Sequence, residues 1–108
     1  MKEADSIIHK ISSEELIGPL NDIEKKFAPP ILYFKGNKNI LQEGPRVSII
    51  GTRHPTDEGI RNAQIITQFL VYNGVTIVSG LAQGIDSVAH RTAIELGGKT
   101  IAVLGTPL

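Results

Sequence analysis

A chain of 108 residues with 41% hydrophobic side chains and a formal net charge of zero is sized for a modest core, and it has no global field to draw it towards DNA or an anionic membrane. The absence of cysteine excludes disulfides, thiolate catalysis and zinc sites built on sulfur. No apolar run has the length of a signal peptide or a membrane span, so a cytoplasmic protein without a membrane partner is expected.

In chain order, Ser12 followed by Glu15 predicts a helix N-terminus that Gly18-Pro19 stops quickly. Pro19 is expected to open a second helix, with Leu20, Ile23 and Phe27 on one face, ending at Pro29-Pro30. Residues 31–35 are dense in strand formers and run into a turn at Gly36-Asn37, with a further short turn at 39–41. From Arg46 the pattern alternates: strand 47–50, helix 57–72, strand 75–78, helix 86–96 and strand 100–104. The helices are stopped by Asn73-Gly74 and Gly97-Gly98.

This order predicts an α/β fold, a Rossmann-like three-layer sandwich. Its small, mainly parallel sheet is β-α-β-α-β plus one preceding strand, with helices on its faces. Residues 1–45 read as an N-terminal helical segment and leading strand, and 46–108 as half of a Rossmann-like unit, together one compact domain. Strands joined by such helices are parallel, so the loops that follow them gather at one edge of the sheet, where open α/β sheets bind ligands.

Three loops share that edge: Gly51-Thr52-Arg53-His54, residues 79–84, and Gly105-Thr106-Pro107. Ser79, Gly80, Leu81, Ala82, Gln83 and Gly84 join a strand to a helix through small residues, leaving main-chain N–H groups open to an anion at the helix start. The loop has neither the Gly-x-Gly-x-x-Gly spacing nor a Walker ending, which argues against a dinucleotide or P-loop cofactor. Gly51 and Gly105 clear space in the other two loops. Arg53 is the one cation among the three and can grip a phosphate with two parallel hydrogen bonds. The hydroxyls of Thr52 and Ser79 either reach a phosphate or cap the nearby backbone.

Asp86, in the first turn of its helix, is expected to satisfy free N–H groups and fix the loop. His90, four residues on, can meet Asp86 but is expected to be a hydrogen-bonded structural histidine. No serine or ligand set completes a triad or a metal site, so neither catalysis, a metal nor a cofactor is expected.

These residues resemble the DNA-processing protein A family, also called DprA or Smf. The likeness lies in Pro29-Pro30-Ile31-Leu32-Tyr33-Phe34-Lys35-Gly36-Asn37, then in residues 47–56 and 79–90, and continues through residues 97–105. The resemblance implies a Rossmann-like protein that binds single-stranded DNA without cutting it, and helps load the RecA recombinase during natural transformation. Gly51, Thr52, Arg53 and the 79–84 loop would line its phosphate pocket.

Two departures stand out. Gln83 occupies a position where the family usually has arginine, and the chain stops at Leu108, before the second half of the sheet. Self-association, or a partner that completes the sheet, is therefore expected. Two alternatives stay open. One is a mononucleotide-binding protein or a nucleotide-processing enzyme of the related phosphoribohydrolase group, although the Pro-Gly-Gly-x-Gly-Thr signature is missing. The other is a scaffold that has lost its ligand.

Overall fold

The computed structural model describes residues 6–106 and 108. Its contacts divide the chain into two units, Gly44–Gly105 and the residues up to Glu43 with the last few of the chain. Pro107, the end of the third expected loop, lies outside the described residues.

The first unit contains β1 (His9–Ser12), α1 (Ser13–Ile17), α2 (Asp22–Phe27), β2 (Ile31–Phe34) and a 3-10 turn at Lys38–Gln42. Ser12 caps α1, its hydroxyl accepting from the Glu15 N–H at 3.2 Å. The second helix does not begin at Pro19. Asn21 is its N-cap, and the Asn21 side chain and Glu24 bond each other's backbone N–H at 2.8 and 3.1 Å. Two donors satisfied at Asn21 outweigh the preset φ that proline offers two residues earlier. The face expected to be buried is open, with Ile23 72% and Phe27 75% exposed.

β2 forms where the strand formers predict it, in a two-stranded antiparallel sheet of its own with β1. The pattern of β1 does not announce a strand, because His-Lys-Ile-Ser has a single apolar residue. Pairing supplies what propensity lacks: the His9 ring stacks on Phe34 with centroids 4.8 Å apart. Ser13, buried at the start of α1, anchors the entry to β2 through its N–H to the Pro30 carbonyl (3.2 Å) and its hydroxyl to the Pro29 carbonyl.

The second unit is the alternating α/β portion: β3 (Arg46–Ser48), α3 (Asp57–Tyr72), β4 (Thr76–Ser79), α4 (Ile85–Glu95) and β5 (Thr100–Ala102). All pairs are parallel in the order β3-β4-β5, with Val47 opposite Ile77 and Val78 opposite Ile101. Thr56 caps α3 by accepting from Gly59 N–H at 3.0 Å, and acidic Asp57 and Glu58 follow in the first turn.

α3 and α4 pack on each other and on β4. The core is Ile77, Ala89 and Ala93, fully buried, with Ile49, Leu70 and Val71 against it. Small alanines on the inner face of α4 permit this close approach. Thr67 is buried with them, and its hydroxyl donates to the Ala63 carbonyl at 2.7 Å. No helix among the described residues is long and apolar enough to cross a membrane.

Candidate functional site

Two of the three loops that leave the sheet edge are in contact. Ile85, the first residue of α4, donates its N–H to the Thr52 carbonyl at 3.1 Å. Its side chain lies where a Cβ on Gly51 would come within 2.7 Å. Gly84 adopts φ +84° and ψ −132°, a conformation that side chains other than hydrogen resist. A Cβ there would stand 2.3 Å from the Thr52 oxygen and 2.7 Å from the Arg53 Cα. The loop after β5 joins through its strand end, where Val103 N–H bonds the Ser79 carbonyl at 2.9 Å. Among the described residues nothing approaches a Cβ on Gly105 within 4 Å.

Helix α4 orients the two contacting loops by holding their carbonyls. His90 Nε2 donates to the Gly80 carbonyl at 2.7 Å, Ser87 Oγ to that of Ala82 at 2.8 Å, and Ile85 N–H to that of Thr52. A trans peptide puts C=O and the next N–H on opposite sides, and no peptide here is cis. Each carbonyl drawn towards α4 therefore turns the following N–H, that of Leu81, Gln83 or Arg53, away from it. Among the described residues none of these three N–H groups has an acceptor. With the positive end of an 11-residue helix behind them, they form a set of donors suited to anionic oxygens.

His90 is 8% exposed and both ring nitrogens are engaged. A carbonyl only accepts, so Nε2 carries the hydrogen, and in the neutral ring Nδ1 accepts from the Thr100 hydroxyl at 2.5 Å. The Asp86–His90 contact that the spacing allows is consequently not made. Nor does Asp86 cap the loop: α4 has no side-chain cap, and Oδ1 of this 7%-exposed residue has no hydrogen-bond partner among the described residues. Its Oδ2 lies 2.7 Å from where a Gly80 Cβ would stand, so the glycine makes room for the carboxylate.

The two hydroxyls are taken up by backbone groups as well. Thr52 Oγ1 accepts from His54 N–H at 3.1 Å, and Ser79 Oγ donates to the Ile49 carbonyl at 2.6 Å, tying β4 to the end of β3. Buried Ser79 is thus spent on the sheet. Arg53 and Gln83 are exposed beside the open N–H groups, and Leu81 presents an apolar side chain, 64% exposed. Ser87 was not singled out from the sequence. Its only signal there is a short hydroxyl in a first helical turn, a place where such side chains bond nearby backbone. Among the described residues no group of three or more His, Cys, Asp or Glu could hold a metal ion.

A family model described as DNA recombination-mediator protein A matches residues 10–108. Protein Smf of Synechocystis sp. is 51% identical over 83 residues, which are 74% of this chain and 21% of that protein. DNA processing protein DprA of Streptococcus pneumoniae is 46% identical over 81 residues, 75% of this chain and 28% of that one. The chain thus spans about a quarter of the length of these relatives.

Among solved structures, that of DprA from S. pneumoniae has a TM-score of 0.78 at 37% identity, covering 96% of this chain and 36% of the other. A DprA structure from Helicobacter pylori, described for its single-stranded DNA binding mode, gives 0.70 at 27% identity, with coverages of 95% and 45%. A family match over nearly the whole chain, on a parallel α/β unit of the same Rossmann-like form, makes this chain a member of the DNA recombination-mediator protein A (DprA/Smf) family.

Proposed function

We propose that the chain binds single-stranded DNA in the cytoplasm without cleaving it, seating backbone phosphates on the N–H groups of Leu81, Gln83 and Arg53 while the Arg53 guanidinium adds charge. The observation that carries this reading is that these three N–H groups each follow a carbonyl held by α4 and have no acceptor among the described residues. The H. pylori relative, whose single-stranded DNA binding mode has been described, supports the ligand class.

Within a longer molecule the same surface would serve DNA processing and the loading of a RecA-type recombinase. β3 and β5 each pair only with β4 among the described residues. We therefore also propose that a second copy, or a further part of a longer protein, extends the sheet from one of these edges.

Fluorescence anisotropy with a labelled oligo-dT across a salt series tests the DNA reading. Affinity should fall with rising salt, at about 0.7 in the log–log slope per phosphate engaged. Arg53→Ala should weaken binding about tenfold, as loss of a charge-assisted hydrogen bond does, and flatten the slope. Gln83→Arg should tighten binding and steepen it. No binding of the oligonucleotide, with thermal stabilisation by a mononucleotide instead, would replace this reading with that of a nucleotide pocket.

A further inference from the structure

The β1–β2 sheet has two dissimilar faces. Along β2 burial alternates, with Leu32 and Phe34 half-buried, and Ile31 and Tyr33 exposed by 39% and 61%. The antiparallel register sets Lys10 directly opposite Tyr33 and Ser12 opposite Ile31, so these four share the outer face. Lys35, also exposed, follows Tyr33 by two residues and continues its alternation. Neither strand contains an acidic residue.

Core packing does not account for an aromatic ring left this open. An exposed ring flanked by ammonium groups on a sheet is the combination that binds single strands, a base stacking on the ring while cations take the neighbouring phosphates. Protein interfaces are depleted in lysine, which disfavours a protein partner on the same face.

We propose that this outer face is a second single-stranded nucleic-acid contact, with Tyr33 as the stacking residue and Lys10 and Lys35 as the phosphate ligands. It rests on the nucleic-acid reading of the chain for its ligand class, but on none of the loop residues. Sequence preference is absent from such a contact, since every base offers a face to stack.

The test is oligo-dT anisotropy with salt series on Tyr33→Val, Tyr33→Phe, Lys10→Gln and Arg53→Ala, each checked for an unchanged melting temperature and for mass by light scattering. Valine keeps strand propensity and removes the ring. Tyr33→Val should lose about fivefold or more in affinity, Tyr33→Phe should retain it, and Lys10→Gln should lower the log–log salt slope by about 0.7. Wild-type affinity in Tyr33→Val alongside weakened binding in Arg53→Ala would overturn this proposal and leave the loop site standing. A changed oligomeric mass in Tyr33→Val with DNA affinity intact would overturn it in favour of a protein interface. Failure of the wild-type chain to bind any oligonucleotide would overturn both.

Discussion

Replacing Gly84 with alanine is expected to cost more than any other single methyl group added to this chain. The backbone there has φ +84° and ψ −132°, outside the left-handed helical region, where an L side chain costs about 1–3 kcal/mol. The new Cβ would also stand 2.3 Å from the Thr52 carbonyl oxygen. That atom is backbone, itself held by Ile85 N–H, so it cannot swing aside as a side-chain tip would. Relief requires the two loops to part, which removes the Ile85 bond as well.

Together these effects should amount to about 3 kcal/mol or more, a fall in melting temperature of over ~10 °C. Oligonucleotide affinity measured well below that melting point should be lost with it. Gly105→Ala is the matched control, because no atom of the described residues lies within 4 Å of a Cβ there, and it should change stability by no more than about 0.5 kcal/mol. Equal melting temperatures for the two variants would show that the loops do not touch as described.

His90→Leu should produce the second-largest loss. Leucine fills a similar buried volume but removes both the donor to the Gly80 carbonyl and the acceptor for the Thr100 hydroxyl. Leaving those groups unpaired costs about 1–3 kcal/mol each. The Gly80–Leu81 peptide would then be free to rotate, and the Leu81 N–H would lose its orientation. Oligonucleotide affinity should therefore fall even at temperatures where the variant is fully folded. His90→Gln, whose amide can still donate to a carbonyl, should recover part of that affinity. If His90→Leu melts lower yet binds as tightly as the wild-type chain, His90 supports the core and does not orient the donors.

Much of the second unit was legible because its signals are local. The periodicity of residues 57–72 and the stop at Asn73-Gly74 delimit α3 at Asp57–Tyr72, the range that they predict. The alternation of strands and helices likewise implies the parallel sheet. β1 was hidden because a strand with one apolar residue is made by its partner, and Pro19 misled because a reciprocal cap two residues later is the stronger start signal.

At the site, the glycines in the loops after β3 and β4 are expected to clear space for an anion, whereas Gly51, Gly80 and Gly84 instead make room for the Ile85 side chain, the Asp86 carboxylate and the Thr52 carbonyl. Which side chains would serve the site was not readable. Thr52 makes the local backbone bond that the sequence allowed, whereas the roles of Ser79 and Asp86 turned on whether a hydroxyl or carboxylate faces the loop surface or the interior, and that is set by packing between segments far apart in sequence. The clamp of Ser87 and His90 on loop carbonyls is tertiary in the same sense.

The central claim concerns three specific main-chain donors, and an NMR titration of the 15N-labelled chain with oligo-dT at low salt observes each of them. The amide resonances of Leu81, Gln83 and Arg53 should move downfield, saturating together at the affinity that anisotropy reports, while Thr67 and Ala93 in the core stay in place. Saturable binding that leaves those three amides unmoved would contradict the account.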